Sequence, residues 1–216
     1  MVSVEPVPTA NKGGGVSIPA YSINAYDDAG RIYDELFDKY YDGSVRLKSV
    51  ENIINDVTTI ANTNSFFVAN NNYGDIQLSA ARVEYLSNLG TSDIAGVIGA
   101  SNLSVTAKTS FSNFLITIAA LYATETDATK MYNAVVKYEE NVISSNFLTY
   151  DDKKIILTTT SIVRYSSYRA KKKPKKNTDP DWLILVTHVL GSEEGAEENM
   201  EKAILQGLVT GIVSNS

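Results

Sequence analysis

The sequence predicts an all-α protein, an irregular bundle of about six to eight helices with a flexible N-terminal arm. Apolar residues recur at i, i+3, i+4 and i+7 in one segment after another, which is the period of an amphipathic helix. Residues that favour helix N-caps precede most of these segments. No segment alternates apolar and polar residues as a half-buried strand does. With 216 residues and 44% hydrophobic content, the chain can build one domain with a substantial core.

Residues 1–23 predict the flexible arm. They hold three of the five prolines and three consecutive glycines, Gly13 to Gly15, and they show neither a helical nor a strand period. We therefore expect a single helical domain over residues 24–216.

The first predicted helix begins after the N-cap residue Asn24 and ends near residue 42. Its tyrosines form a stripe on one face, since they are seven residues, or two turns, apart: Tyr26, Tyr33 and Tyr40. Gly30 lies on the same face and has no side chain, so the backbone of another helix can approach there. The second predicted helix follows the N-cap residue Ser49 and extends to Ala61 with an apolar stripe.

The middle of the chain gives weaker signals. Residues 62–74 predict a loop, because they include three consecutive asparagines. A third helix follows, with a C-cap at Gly90 and four residues on its inner face: Leu78, Ala81, Tyr85 and Leu89. Residues 91–102 are ambiguous, since Gly96 and Gly99 disfavour a helix.

Three segments with apolar stripes complete the body of the bundle: residues 107–122, 126–142 and 152–168. The second begins at Thr126 or Asp127, and the third opens with Thr149 and Asp152 at capping-box spacing. A last helix or helix pair follows Asp179-Pro180, runs to about residue 213 and is interrupted or bent near Gly191.

The composition excludes several classes of site. The chain has no cysteine, which rules out disulfides, thiolate zinc sites, iron–sulfur clusters and cysteine nucleophiles. Its one histidine, His188, cannot supply the two that a di-iron bundle needs, and a Ser-His-Asp triad would have to use it as the base. His188 lies in an apolar segment, which favours a core or boundary position. We expect no metal and no cofactor.

Two groups of residues are candidates for binding. The first belongs to the tyrosine stripe: Tyr26, Asp27, Gly30 and Tyr33. A row of tyrosines can bind a sugar or a peptide, but its spacing is also that of a helix-packing surface, which we favour. The second group is a basic run: Arg169, Lys171, Lys172, Lys173, Lys175 and Lys176.

The basic run has the composition of segments that contact phosphates or an anionic surface. We favour a solvated loop between two helices. No aromatic residue follows Tyr168 within the run to stack on bases, and the formal net charge of the chain is −6. A nucleic-acid partner is therefore not expected, and an anionic-surface or nucleic-acid binder through residues 169–176 is an alternative.

Paired carboxylates raise an enzymatic alternative, a hydrolase acting on glycans. Such an enzyme needs two carboxyl groups about 5 to 10 Å apart. Four sets of neighbouring acids are available: Asp27/Asp28, Asp34/Glu35/Asp38, Glu139/Glu140 and Asp151/Asp152. Most of them lie in first turns or on exposed faces, where the helix dipole and basic partners explain them. The sequence therefore indicates no particular catalytic residue.

Two short stretches carry a family resemblance. Residues 24–36 (NAYDDAGRIYDEL) and 161–166 (SIVRYS) resemble small uncharacterised secreted or lipid-anchored helical proteins of Bacteroidetes. The chain departs from that pattern with Ala25 in place of the usual proline and with Tyr33-Asp34 in place of His-Asn. The resemblance implies an exported protein, periplasmic or at the cell surface, whose arm would follow a lipidated cysteine. It implies no particular reaction.

Residues 2–6 contain neither the basic nor the apolar region of a signal peptide, so a cytoplasmic location is the alternative. No run of apolar residues is long enough to cross a bilayer. We predict an exported, non-enzymatic helical protein that binds a protein partner or a surface ligand.

Overall fold

The computed structural model describes residues 19–42, 49–70, 76–172 and 181–215. Across these residues the chain forms ten α-helices, a 3₁₀ turn over Thr91–Asp93 and no strand, which confirms the all-α prediction. The helices are α1 (Asp27–Asp42), α2 (Val50–Ala61), α3 (Ser65–Asn70), α4 (Ala80–Ser87), α5 (Ile94–Ala100), α6 (Val105–Thr124), α7 (Ala128–Ser144), α8 (Tyr150–Lys172), α9 (Asp181–Ala196) and α10 (Met200–Ser214). Residues 1–18 of the predicted arm lie outside the described residues.

The helix count is higher than the predicted six to eight, because two segments with weak signals are helical. The first is α3, so the loop predicted over residues 62–74 is wrong for this part. Asn64 begins the helix, since its side chain accepts a hydrogen bond from the backbone N–H of Phe66 at 2.9 Å. Phe67 is fully buried, and this burial stabilises a helix of only six residues.

The second is α5, in the segment that the sequence leaves ambiguous. Ile94 and Ile98 are one turn apart and both are buried. Their burial offsets the helix-propensity cost of Gly96 and Gly99, which is about 1 kcal/mol each.

The inner face of α4 differs from the prediction. Val83 and Leu86 are buried, whereas Ala81 and Tyr85 are exposed. Leu78 precedes the helix, which starts after the N-cap residue Ser79, so the predicted stripe began outside the helix. The C-cap residue of this helix is Asn88, two residues before the predicted C-cap Gly90.

Most of the predicted helix starts are confirmed. The side chains of Ser49 and Asp127 each accept a backbone hydrogen bond from the helix that follows. Thr149 and Asp152 form the reciprocal capping box, with side chain-to-backbone distances of 3.0 and 2.9 Å. Asn24 differs, because its side chain accepts from the N–H of Tyr26, which precedes α1. This hydrogen bond closes the turn before the helix instead of capping the helix itself.

The predicted C-terminal helix pair is α9 and α10. α9 continues through Gly191 as one helix, so the division lies at residues 197–199 and not near Gly191. A Cβ on Gly191 would lie 2.8 Å from the carbonyl oxygen of Gln206, and one on Gly207 would lie 3.0 Å from that of His188. The two helices therefore pack at a distance that these glycines permit.

Helix α8 is the centre of the fold. It packs against α1, α7 and α9, and every residue from Ile155 to Tyr165 is buried. Several of these residues are polar: the hydroxyls of Thr159 and Thr160 donate within the helix, and that of Ser161 donates to the Asp27 carbonyl oxygen of α1. The Oγ1 atom of Thr159, for example, donates to the carbonyl oxygen of Ile155 at 2.9 Å. The core of the bundle is therefore partly polar around α8.

Gly30 makes a close contact between α1 and α8; the sequence predicted a close backbone approach at this glycine but not which helix makes it. The Gly30 N–H donates to the Oγ atom of Ser161 at 3.0 Å, and a Cβ at this position would collide with the Ser161 carbonyl oxygen and the Tyr165 ring. We therefore expect Gly30→Ala to lower the free energy of unfolding by about 2 to 3 kcal/mol in urea titrations. Gly96→Ala is the matched control.

Nothing lies within 4 Å of a Cβ at Gly96, so that substitution is expected to raise the free energy of unfolding by about 1 kcal/mol. Equal effects of the two alanines would contradict the packing role of Gly30.

Candidate functional site

The four candidate residues in and just before α1 lie in different surroundings. Gly30 and Tyr33 are buried in the core. Tyr26 is half-buried, and its hydroxyl donates to that of Tyr150 at 3.3 Å. Asp27 binds a buried arginine of α8. Of this group, Tyr26 and Asp27 are the members with accessible surface, and the use of all four in binding stays a prediction.

The arginine bound by Asp27 is Arg164, the centre of a buried ionic network. The Arg164 and Glu139 side chains are both fully buried, and the Nε atom of Arg164 lies 3.2 Å from Oε2 of Glu139. The two Nη atoms of Arg164 donate to the carboxylate of Asp27 and to the carbonyl oxygen of Pro19. One guanidinium therefore joins α1, α7, α8 and the segment before α1.

Glu139 has further partners in the network. The amide of Asn24 donates to its Oε1 atom and to the carbonyl oxygen of Leu157, both at 3.0 Å. Burial raises the pKa of Glu139 above the ordinary glutamate value, while Arg164, Thr160 and Asn24 favour the ionised form and counter part of this rise. The network holds an acid that the apolar surroundings alone would protonate.

The segment before α1 is attached to the bundle by the same network. The Tyr132 hydroxyl of α7 donates to the Ala20 carbonyl oxygen at 3.0 Å. The backbone N–H of Tyr21 donates to Asp27 at 3.2 Å, and the Tyr21 hydroxyl donates to Glu140 at 3.4 Å. Residues 19–23, the end of the predicted arm, thus contact α7 and α8.

Arg169, the first residue of the basic run, is bound to α1. Its guanidinium donates to the carboxylates of Asp34 and Asp38 and lies 5.1 Å from the centre of the Phe37 ring. Burial alone would lower the pKa of Arg169. The carboxylates of Asp34 and Asp38 outweigh this effect and raise the pKa above the ordinary arginine value. The positive charge of Arg169 is therefore already matched within the chain.

Of the five lysines in the basic run, the structure describes the first two. Lys171 and Lys172 form the last two residues of α8. Lys173, Lys175 and Lys176 lie outside the described residues. Binding of an anionic surface through this run stays a prediction.

His188 is buried, which agrees with the predicted core position. Its Nδ1 atom is hydrogen-bonded to the hydroxyl of Tyr33, and its ring faces Gly211 of α10, where a Cβ would collide with the imidazole. Burial raises the pKa of Tyr33 well above the ordinary tyrosine value. Tyr33, His188 and Gly211 thus form the contact of α1 with α9 and α10.

Glu193 in α9 is a buried acid that the sequence analysis missed. Its side chain belongs to a residue only 1% exposed, and its Oε1 atom has no hydrogen-bond partner in the described part of the chain. Burial raises its pKa to about 8, and the nearby carboxylates of Glu197 and Glu194 add to the rise, while Ser101 and Lys108 oppose it. Glu193 is therefore largely protonated at neutral pH.

A signal for the burial of Glu193 exists in the sequence. Val186 and Leu190 precede it by seven and three residues, so all three share one face of α9. Glu193 also begins a segment with five glutamates among nine residues, and such a segment is typical of a solvated surface.

Three exposed side chains and the half-buried Tyr26 belong to the turn before α1, the loop after α7 and the start of α8, and we call them the terminal patch: Ile23, Tyr26, Phe147 and Tyr150. Phe147 is 85% exposed, Tyr150 is 75% exposed and Ile23 is 65% exposed. The Tyr26–Tyr150 hydroxyl contact joins the turn before α1 to the first residue of α8. Sequence reasoning identified Tyr26 but not the others, because Phe147 lies in a loop without a period.

Among the described residues, no group of three or more histidine and carboxylate side chains is arranged to hold a metal ion. None of the helices in the described ranges combines the length and hydropathy that a bilayer crossing requires.

No family model, curated protein or solved structure matches the chain. The resemblance of residues 24–36 and 161–166 to proteins of Bacteroidetes stays a prediction.

Proposed function

We propose that this chain is a non-enzymatic binding protein that docks a protein partner through the terminal patch. The observation that carries the proposal is the 85% exposure of Phe147, with Tyr150 exposed three residues further along the chain and Ile23 exposed before α1. Leaving large apolar side chains in water costs free energy that a partner recovers by covering them. Aromatic residues are also enriched among the residues that dominate binding energies.

The backbone around Phe147 supports this use, because it is held by hydrogen bonds. The Phe147 N–H donates to the Oγ atom of Ser145 at 3.2 Å, and the Lys153 ammonium donates to the Ile143 carbonyl oxygen at 2.8 Å. The capping box of α8 follows at Thr149. An aromatic side chain on a fixed loop loses little entropy when it binds.

The non-enzymatic part of the proposal is supported by the carboxylates. Asp27 and Glu139 meet at one guanidinium, that of Arg164, and Glu139 is fully buried. Asp34 and Asp38 meet at the guanidinium of Arg169. Neither of these pairs offers a substrate two free carboxyl groups, as a glycan hydrolase requires.

The proposed location is outside the cytoplasm, periplasmic or at the cell surface, and it rests on the family resemblance. Fractionation of the source cells with an antibody against the chain tests it, and recovery in the cytosolic fraction alone would contradict it.

Photo-cross-linking tests the terminal patch. A benzophenone amino acid at position 147 is expected to form adducts with a partner in source-cell extract, and unlabelled wild-type protein is expected to compete them away. Phe147→Ser is expected to compete poorly while its free energy of unfolding stays within about 0.5 kcal/mol of wild type, because the side chain is exposed.

Position 85 is the matched control, since Tyr85 is a 51% exposed aromatic residue on α4. The same adducts from positions 85 and 147, equal competition by Phe147→Ser, or no adduct at all would each refute the proposal.

A further inference from the structure

Helices α5 and α6 form a surface almost without charge. Between residues 94 and 124, Lys108 is the single charged residue, although 20% of the whole chain is charged. Val105 is 82% exposed and Ile116 is 41% exposed on this surface.

The outward side of α6 carries little charge: the one charged residue of the helix, Lys108, lies at the edge of this side, and its ammonium donates to the Gly99 carbonyl oxygen of α5 at 3.0 Å. Five exposed residues lie within about 60° of one another around the helix axis: Val105, Thr109, Ile116, Ala120 and Ala123. The inward side is apolar as well, with Phe111 and Leu115 buried. A helix with so little charge on its outward side is typical of an element that is covered on that side as well.

Helix α5 extends this surface. Ile94 of α5 lines a small apolar crevice with Leu115 of α6 and Val189 of α9, so α5 and α6 lie side by side on α9. Gly96 and Gly99 are exposed, and nothing lies within 4 Å of a Cβ built on either of them. Packing within the described chain therefore does not require glycine at these two positions, although each lowers helix stability by about 1 kcal/mol. Glycine at these positions would be required if the backbone of another molecule approached α5 closely.

We propose that this α5–α6 face binds the same face of a second copy of the chain in a twofold dimer. Each copy carries a formal charge of −6, so two copies repel unless they meet through a neutral surface. Exposed charges lie on α1, α2, α4 and α7, for example at Asp38, Glu51, Arg82 and Lys137. The α5–α6 face brings one cation per copy to a twofold contact, Lys108, and the ammonium of that lysine is already bonded to the Gly99 carbonyl oxygen of its own chain.

The size of the face fits this occupant. With 20 residues, α6 is about 30 Å long. A stable interface covers about 800 Å² on each partner, which is a patch about 28 Å across. α6 spans that length, and α5 widens the face beside it.

Sedimentation velocity of the full chain over a wide concentration range tests the dimer. Wild type is expected to dimerise, and Ala120→Glu is expected to weaken the dimer at least about tenfold, because it buries an unpaired charge in each copy. Gly96→Leu is expected to weaken it similarly without lowering the melting temperature of the monomer, since no atom of the described residues lies within 4 Å of a Cβ at this position.

Ala81→Glu is the matched control, because Ala81 is an exposed alanine on α4, away from this face. A wild-type chain that stays monomeric, or equal loss of dimer in Ala81→Glu and Ala120→Glu, would overturn the proposal. Loss of the dimer in Phe147→Ser but not in Ala120→Glu would also overturn it and would assign self-association to the terminal patch.

Discussion

Replacing Arg164 with methionine is expected to lower the free energy of unfolding by about 4 kcal/mol, because it leaves the buried carboxyl of Glu139 without its counter-ion. The same change removes the donors to Asp27 and to the Pro19 carbonyl oxygen, so the segment before α1 loses a point of attachment. Urea titration at neutral pH measures the loss.

The pH dependence of this loss identifies its cause. Burial raises the pKa of Glu139 and Arg164 counters part of this rise, so without Arg164 the folded-state pKa of Glu139 is expected to rise further above that of the unfolded chain. The folded variant then binds more protons than the unfolded one, and its stability falls as the pH rises. We therefore expect a larger deficit relative to wild type at pH 8 than at pH 5.

Two further variants separate electrostatics from packing. Adding Glu139→Gln to Arg164→Met removes the unpaired acid and is expected to restore about 2 kcal/mol. Arg31→Met is the control at an exposed ion pair, where the Arg31 side chain is 42% exposed and binds Asp28 and Glu35. It is expected to cost no more than about 1 kcal/mol. A loss in Arg164→Met no greater than in Arg31→Met would show that the network contributes little.

Replacing Glu193 with glutamine is expected to stabilise the protein at alkaline pH. The pKa of Glu193 is about 8 in the folded protein and 4.5 in its ordinary state. Between these values the folded state holds a proton that the unfolded chain has released, so the free energy of unfolding of wild type falls as the pH rises. Glutamine cannot ionise, and Glu193→Gln is expected to be more stable than wild type by about 4 kcal/mol above pH 8.

At pH 4.5 and below the two proteins are expected to have nearly equal stability, because both then carry a neutral side chain at this position. Glu84→Gln, an exposed acid on α4, is the control and is expected to keep the wild-type pH profile. If the stability difference between Glu193→Gln and wild type stays constant from pH 5 to pH 9, the carboxyl of Glu193 is not held neutral by the fold.

The predictions that succeeded depend on neighbours in the sequence. The caps at Ser49 and Asp127 and the capping box at Thr149 are local hydrogen bonds, so four residues contain the whole signal. The close contact at Gly30 was predictable because a glycine on an apolar helix face lets another backbone approach. The all-α class followed from the repetition of one period.

The features that the sequence did not predict depend on distant residues. Arg164 and Asp27 are 137 positions apart, and nothing near either one indicates that they meet. Helix α5 forms despite its glycines because two isoleucines find a partner surface on other helices. Glu193 is neutral because of what packs over it, and a run of glutamates gives the opposite indication. Tertiary packing decides each of these cases.

The contact of Arg164 with the start of the described chain has a consequence for biosynthesis. A ribosome that adds about 5 to 20 residues per second needs about 7 to 27 s to pass from Asp27 to Arg164, which are 137 residues apart. During this interval the face of α1 around Gly30 has no α8 to cover it. Helix α1 is therefore made long before it can complete its contacts with α8, and the nascent chain exposes an aromatic surface of α1 until the central helix emerges.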